Sequence, residues 1–243
     1  MKRRLHVPPE RIAAGRAVLG PEARHYLRDV LRLPPGAEVE VFDGAGSLWD
    51  GHLDAAHEAI ALGRRREARG SPAAIWLAFA LAKGEKVDLV VQKATELGAA
   101  RLLPFAAARS VVRLDPARGE ERAARWRRIA SEAARQCGRA DVPDVLAPSA
   151  LAEALEAPPG FARLVFHREG GLPLGAVPPS PAAGYLAVVG PEGGLAPEEL
   201  RACEAAGAIR AALGPRTLRA ETAALAAVAL LQARFGDLGL AGG

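Results

Sequence analysis

Residues 185–194 read YLAVVGPEGG, an apolar run that passes directly into a glycine-rich loop. Residues 213–222 read LGPRTLRAET and follow a second apolar run at 208–213. In open α/β sheets, ligands bind beyond the carboxyl ends of the strands, where glycine lets backbone N–H and C=O groups approach the ligand. Either loop alone could be a simple turn, but together they predict a ligand pocket that suits a nucleoside better than a triphosphate.

Apolar strands alternate with helices on both sides of these loops. The strands are predicted at 75–82, 101–105, 163–167, 185–189 and 208–213, and the helices at 87–97, 120–137, 197–206 and 218–235. This alternation is typical of a parallel sheet whose strands are joined by helical crossovers. The sequence therefore predicts the α/β fold class for this part of the chain.

Residues 1–70 have a different pattern. Residues 37–42 alternate at period two and lead through a turn at 43–46 into a strand at 47–53, which predicts a β-hairpin in a small β-rich unit. Before the hairpin, Pro21–Leu31 has helical spacing, and Arg24, Arg28 and Arg32 recur every four residues on one predicted face. A linker is predicted close to Ser71, so the expected domains are 1–70 and 71–243.

Composition excludes several classes of protein. The chain of 243 residues is half apolar but has no apolar run of the roughly 18 to 20 residues that a membrane span needs. Glu10 and Arg11 stand where a signal peptide would be apolar, so a cytoplasmic protein with no membrane partner is expected. Cys137 and Cys203 are too few for a disulfide framework or a structural zinc site. Phosphate-binding, dinucleotide-binding, zinc-protease and serine-nucleophile motifs are absent from the sequence, and no metal is expected.

Positive charge is concentrated in two segments. Residues 1–32 carry a net charge of +5 and residues 101–139 a net charge of +6, although the whole chain carries only +4. Such clustering favours a polyanionic partner such as RNA, but an arginine-rich surface on a heat-stable protein would produce the same pattern. The candidate RNA-binding residues are Arg3, Arg4, Arg24, Arg28, Arg32, Arg109, Arg113, Arg127 and Arg128.

A set of motifs resembles one family of enzymes. The motifs are Lys93–Gly98, Arg109-Ser110, Arg125-Trp126, Glu132–Arg139, Gly190–Gly194 and Leu213–Ala224, and they occur in the family's order. The sequence is similar to the RsmE family of ribosomal small-subunit RNA uridine N3-methyltransferases, in the SPOUT superfamily. Two departures stand out: Arg4-Leu5-His6 replaces Arg-Phe-Phe, which puts an aromatic RNA-stacking role there in doubt, and Cys137 replaces serine.

The resemblance implies a fold and a reaction. The expected fold is a SPOUT-type, trefoil-knotted parallel sheet with helices on both faces, preceded by a small PUA-like β-barrel. The expected reaction transfers a methyl group from S-adenosylmethionine to N3 of a specific uridine in 16S ribosomal RNA. The resemblance also implies a homodimer whose substrate is small-subunit ribosomal RNA or the assembled small subunit.

The resemblance further implies which loops hold the cofactor, mostly through backbone contacts. They are the loop at His167-Arg168, the loop at Gly190–Gly194, and the segment around Leu213–Ala223. The cofactor-binding residues carried over are His167, Gly190, Pro191, Glu192, Gly193, Gly194, Leu213, Gly214, Leu218, Thr222 and Ala223.

The expected reaction also needs groups that act on the base. Uracil N3 carries a proton and is a poor nucleophile until that proton leaves, so a base or a charge-stabilising cation is required. Arg219 is the first candidate cation, followed by Arg135, Arg139 and Arg109. Glu221 or Glu132 could accept the proton, and the step could also proceed without a protein base.

Two alternatives remain open from the sequence. One is a knotted methyltransferase that acts on ribose 2′-hydroxyl groups, and the other is a non-catalytic RNA-binding module with the same fold. The intact loops at Gly190–Gly194 and Arg219–Thr222 argue against the second alternative.

Overall fold

The computed structural model of the chain describes residues 3–110 and 116–239. Arg113, one of the predicted RNA-binding residues, lies outside the described residues. Residues 3–70 and 131–142 form one unit, whereas residues 71–110, 116–130 and 143–239 form another. The sequence does not predict that 131–142 pack with the first unit, because residues 131–137 continue a helix that begins at Pro116.

The first unit is built on a six-stranded, mainly antiparallel sheet. The strands are β1 (Arg4–His6), β2 (Ile12–Ala13), β3 (Arg16–Val18), β4 (Glu38–Phe42), β5 (Ser47–Leu53) and β6 (Ala59–Glu67). Their order is β1-β4-β5-β6-β3-β2, in which β1 and β4 pair in parallel and the other neighbours are antiparallel. Apolar side chains from these strands pack with Leu27 and Leu33 to form the core of the unit.

The predicted hairpin in this unit is confirmed. The alternation in β4 buries Val39 and Val41, and β5 pairs with β4 so that Val41 lies opposite Trp49. Asp43 shapes the turn, because its Oδ1 accepts hydrogen bonds from the backbone N–H groups of Ala45 and Ser47 at 2.8 and 2.9 Å.

The predicted helix at 21–31 is present in a modified form. Helix α1 spans Pro21–His25 and continues into a π-helical turn at Tyr26–Val30. Arg32 follows this turn with a φ of +50°, which departs from the helical path. The expectation that Arg32 shares a helix face with Arg24 and Arg28 is therefore wrong.

The second unit confirms the predicted alternation of strands and helices. Its strands are β7 (Ala74–Ala80), β8 (Ala99–Ala106), β9 (Asp144–Val145), β10 (Ser149–Ala150), β11 (Ala162–Phe166), β12 (Leu172–Pro173), β13 (Gly184–Val189) and β14 (Ile209–Ala212). Its helices are α2 (Lys86–Glu96), α3 (Pro116–Cys137, which extends into the first unit), α4 (Leu151–Ala154), α5 (Pro197–Ala205) and α6 (Ala220–Phe235). The short elements β9, β10, β12 and α4 were not predicted, because elements of two to four residues carry no readable periodicity.

The order of the strands determines where the loops meet. The sheet runs β10-β8-β7-β13-β11-β14-β12, with β9 beside β8, and its pairs are parallel. Strand β11 lies between β13 and β14, so the carboxyl ends of these three strands are neighbours. The loops that follow them therefore emerge along one edge of the sheet.

Strand β13 lies at the centre of this unit. All six of its residues are buried, and Leu186 and Val188 pack with side chains from β7, β8 and α5. Cys203 of α5 belongs to the same core and is fully buried, whereas Cys137 is exposed near the end of α3. Burial raises the pKa of the Cys203 thiol to about 11.

A buried glutamine joins three segments of the second unit. Gln232 of α6 is completely buried; its Nε2 donates a hydrogen bond to the Gly98 carbonyl at 2.7 Å, and its Oε1 accepts one from the Ser71 hydroxyl at 2.8 Å. A Cβ at Gly98, where φ is +90°, would come within 2.7 Å of Gln232 Nε2. This contact therefore requires both the amide at 232 and the absence of a side chain at 98.

The substitution Gln232→Leu is expected to destabilise the second unit. Leucine has a similar volume but leaves the Gly98 carbonyl and the Ser71 hydroxyl without their partner, at a cost of about 2 kcal/mol. A loss of that size lowers the melting temperature by roughly 4–8 °C, which calorimetry would detect. The control is Gln136→Leu, because Gln136 is an exposed glutamine of α3. Equal melting temperatures for both variants would contradict the structural role of Gln232.

Candidate functional site

The three loops that leave β11, β13 and β14 surround a cavity of about 410 Å³ in the second unit. This volume is within the range of small-molecule sites in proteins. The wall consists of 166–169 after β11, 189–195 after β13, Leu213, Gly214 and 216–218 after β14, Ala220 and Ala223 of α6, and Arg109.

Glycine is needed at this wall because the backbone turns sharply and packs closely. Residues 191–194 form a turn in which the Gly194 N–H donates to the Pro191 carbonyl at 2.8 Å, and Gly194 has a φ of +70°. A Cβ on Gly190 would lie only 2.9 Å from Leu195 Cγ and 3.1 Å from the Leu195 nitrogen. The first loop therefore presents mainly backbone to the cavity.

Arg109 reaches this loop from the carboxyl end of β8. Its Nη1 donates a hydrogen bond to the Gly193 carbonyl at 2.8 Å. Glu199 of α5 fixes the segment that carries Arg109, because its two carboxylate oxygens accept from the backbone N–H groups of Ala108 and Ala196, each at 2.7 Å. One carboxylate thus holds the Arg109 segment against the start of α5, which begins just after the glycine-rich loop.

Charged side chains surround the rest of the cavity. Arg168 donates to a carboxylate oxygen of Glu169 at 3.1 Å and approaches the Thr217 hydroxyl at 3.4 Å. Arg216 also lines the cavity and is exposed. The wall therefore carries three arginines and two glutamates, with Arg109 and Glu192 as the remaining members. Arg168 and Glu169 neutralise each other, so the five side chains together carry a formal charge of only +1.

Glu192 is paired with a lysine from α2. Lys86 Nζ donates to Glu192 Oε1 at 2.5 Å and lies 3.7 Å from Glu221 Oε2. The hydrogen bond raises the pKa of Lys86 and holds the pKa of Glu192 below its usual value. Both groups are therefore ionised at neutral pH.

Most of the residues predicted to bind a cofactor lie in the cavity wall. They are His167, Gly190, Pro191, Glu192, Gly193, Gly194, Leu213, Gly214, Leu218 and Ala223. Thr222 is an exception: it is exposed and is not among the described residues that line the cavity. Sequence reasoning missed Lys86, Glu169, Arg216 and Thr217, although Arg216 and Thr217 lie inside the quoted motif at 213–222.

The predicted catalytic residues do not all lie at the main cavity. Arg109 lines the cavity, whereas Arg219 is exposed at the N-cap of α6 and is not among its described wall residues. Glu221 lies one residue into α6 and lines a separate small cavity of about 10 Å³. A direct role for Glu221 in accepting a proton from a base in the main cavity is therefore not supported.

Arg135 and Arg139 belong to the first unit and are engaged there. Arg135 forms an ion pair with Glu132, donates to the Tyr26 hydroxyl at 2.6 Å and lies over the Tyr26 ring. Arg139 Nη2 donates to Asp141 Oδ2 at 2.6 Å. Among the described residues, none of these side chains is part of the cavity wall. The structure thus assigns both arginines local contacts within the first unit.

The candidate RNA-binding arginines of the first unit also divide into two groups. Arg4 has only 10% of its side chain exposed and is paired with Glu40 at 2.6 Å, so the expectation that it contacts RNA is not supported. Arg3 and Arg32 are exposed. Arg24 lies 3.8 Å from Glu58, and Arg28 donates to Asp29 at 2.9 Å. The Arg28 side chain is 62% exposed and that of Arg24 is 40% exposed, so phosphate could compete for both.

In the second unit, Arg127 and Arg128 lie on the exposed side of α3. Arg127 donates to the Val145 carbonyl at 2.9 Å and pairs with Glu120 at 2.5 Å, so it already has a structural role. Arg128 is exposed on the same helix. Of these two residues, Arg128 is the better placed to bind phosphate.

The described part of the chain has neither a membrane-spanning helix nor a cluster of metal ligands. Within residues 3–110 and 116–239, no helix is both long and apolar enough to cross a membrane. Over the same residues, no three or more histidine, cysteine, aspartate or glutamate side chains are arranged to hold a metal ion.

Comparisons with known proteins identify the family. A family model described as an RNA methyltransferase domain matches residues 69–232, and one described as an RNA methyltransferase PUA domain matches residues 19–59. Ribosomal RNA small subunit methyltransferase E from Bacillus subtilis is 32% identical over 223 residues, which cover 86% of this chain and 87% of that protein.

Two solved structures share the whole fold. Ribosomal RNA small subunit methyltransferase E from Neisseria gonorrhoeae, bound to S-adenosylmethionine, matches with a TM-score of 0.88 and 30% identity over 98% of this chain and 100% of that chain. A methyltransferase from Legionella pneumophila in complex with the same cofactor matches with a TM-score of 0.88 and 31% identity over 98% and 99%. The chain therefore belongs to the ribosomal RNA small subunit methyltransferase E family.

Proposed function

We propose that this protein transfers a methyl group from S-adenosylmethionine to N3 of a uridine in the 16S RNA of the small ribosomal subunit, in the cytoplasm. The observation that carries the proposal is the cavity of about 410 Å³ enclosed by the loops after β11, β13 and β14. Both solved relatives with the same fold contain S-adenosylmethionine. The basic segments of the chain are consistent with an RNA substrate.

The cavity wall fits a cofactor of this kind. Bound there, S-adenosylmethionine would supply a methyl group on a positively charged sulfur. Gly190 and Gly194 expose backbone at the wall, because a Cβ on Gly190 would collide with Leu195 and Gly194 has a left-handed φ. Val189, Leu195, Leu213 and Leu218 provide apolar surface for the nucleoside part. These residues, with His167, Gly214 and Ala223, are proposed to hold the cofactor.

The placement of β11 between β13 and β14 also supports the proposed trefoil knot. Strand β11 precedes both neighbours in the sequence but lies between them in the sheet. The chain after β13 must therefore pass over β11 to form β14, and the cofactor loops lie at this crossing. A knot at this point would keep the three loops together when the cavity is empty.

Arginine side chains are proposed to assist the chemical step. Loss of the N3 proton places negative charge on the flanking carbonyl oxygens of uracil, and a fixed cation stabilises that charge. Arg109 is held at the wall by its bond to the Gly193 carbonyl, and Arg219 is exposed at the N-terminus of α6. Because Glu221 lies in a separate cavity and Glu132 is paired with Arg135, we propose that the proton leaves to solvent.

Methyl transfer from labelled S-adenosylmethionine to small ribosomal subunits that lack base modifications is the direct test. The expected product after nuclease digestion is N3-methyluridine at one site. Fully modified subunits are the control and should accept no label. A ribose 2′-O-methyl product would show that the enzyme methylates ribose 2′-hydroxyl groups instead. Absence of methyl transfer while the protein still binds the cofactor would contradict this RNA substrate.

Removing charge at Arg24 and Arg28 should weaken RNA binding without changing cofactor affinity. Each phosphate contact contributes roughly 0.7–0.9 to the slope of log K against log salt, so the double change to glutamine should flatten that slope by about 1.5. Arg201→Gln, which removes an exposed arginine of α5, is the control. An unchanged slope in the double variant would contradict RNA contact at this surface.

A homodimer is proposed on the exposed apolar face of α2 and α6. These helices pack against each other, and Leu89 of α2 and Leu230 of α6 are 42% and 45% exposed. Helix α6 is apolar over most of its length, which is typical of a helix that is buried on more than one side. A second copy of the chain would cover this face.

The double substitution Leu89→Glu and Leu230→Glu should convert the dimer to a monomer, because charge would be buried in an apolar interface. Sedimentation velocity at micromolar concentration measures the change. Val18→Glu is the control, since Val18 is an exposed apolar residue of β3 in the first unit. A wild-type protein that sediments as a monomer would contradict the proposal.

A further inference from the structure

A single lysine connects the two loops that the sequence predicts to form a ligand pocket. Lys86 begins α2, and its Nζ lies 2.5 Å from Glu192 in the glycine-rich loop and 3.7 Å from Glu221 in the first turn of α6. Glu192 follows β13 and Glu221 follows β14, so Lys86 contacts the segments that follow two different strands. Lys86 lies outside the motifs at 190–194 and 213–222, and it is not among the described residues that line the main cavity.

The two carboxylates depend on this lysine to different degrees. Glu192 is half exposed, so water can also solvate its carboxylate. Glu221 has only 14% of its side chain exposed, and its Oε2 has no hydrogen-bond partner among the described residues. A buried carboxylate oxygen without a hydrogen bond is costly unless a cation is near. Lys86 is that cation, 3.7 Å away.

The location of Glu221 makes the lysine contact relevant to the cavity. The small cavity that contains Lys86 and Glu221 shares Val189, Gly190 and Ala220 with the wall of the main cavity. Displacement of Glu221 toward water would therefore move the first turn of α6 and the residues around Gly190. Arg219 acts on the same cluster. Its positive charge lowers the pKa of Lys86, because like charges repel, and lowers the pKa of Glu192, because it favours the ionised carboxylate.

We propose that Lys86 is a positioning residue for cofactor binding. It holds the Gly190–Gly194 loop and the first turn of α6 in the arrangement that forms the cavity, through its bond to Glu192 and its charge beside Glu221. The inference rests on the proposed function, since the ligand used to test it is S-adenosylmethionine. Lys86 acts through the two glutamates and does not itself bind the cofactor.

The test compares cofactor affinity by calorimetric titration in Lys86→Met, Lys86→Arg and Lys83→Met. The expected result is a loss of about tenfold in affinity for Lys86→Met and a loss of less than about threefold for Lys86→Arg, which retains the charge. Lys83→Met removes the same charge from an exposed lysine three residues earlier and should bind like the wild type. In methyl transfer, Lys86→Met should raise KM for the cofactor more than it lowers kcat.

Glu192→Gln provides a second variant that cannot disturb a buried core, since Glu192 is exposed. If Lys86 acts through Glu192, the double variant Lys86→Met with Glu192→Gln should bind no more weakly than Lys86→Met alone. Wild-type affinity in Lys86→Met, or losses that multiply in the double variant, would overturn the inference. Failure of the wild-type protein to bind S-adenosylmethionine would instead overturn the proposed function and the inference with it.

Discussion

The functional part of this protein depends on the pairing of three parallel strands. Because β11 pairs with both β13 and β14, the loops that follow these strands must emerge side by side. The cavity is a direct result of that order, since a different arrangement of the same strands would separate the glycine-rich loops. The buried strand β13 fixes the arrangement, because its apolar side chains form the centre of the core.

Side-chain contacts from more distant segments then complete the cavity. Glu199 holds the segment that carries Arg109, Arg109 binds the Gly193 carbonyl, and Lys86 pairs with Glu192. In each case the contact is a hydrogen bond in which at least one partner is charged, and such bonds are stronger than those between neutral groups. The cavity wall itself is formed largely by backbone and apolar side chains, and the charged residues around it determine its shape and potential.

The sequence was informative where the signal is local. The glycine-rich loops, the hairpin at 38–53 and the alternation of strands and helices depend on neighbouring residues, and the structure contains all three. The contact of Glu199 with Ala108 and that of Lys86 with Glu192 could not be predicted, because the partners are 91 and 106 residues apart. The pairing of Arg4 could not be predicted, because a cluster of positive charge does not reveal that one member is largely buried beside Glu40. The position of Glu221 outside the main cavity could not be predicted, because Ala223, two residues further along α6, does line that cavity.

The two cysteines differ in how easily an alkylating reagent can reach them. Thiolates react with alkylating reagents whereas protonated, buried thiols do not, so Cys137 is open to rapid modification and Cys203 is protected by its core position and its raised pKa. Modification of Cys203 requires α5 to separate from β13. The rate of alkylation of Cys203 therefore measures how often the core between α5 and β13 opens. The rate of alkylation of Cys137 serves as an internal standard for the activity of the reagent.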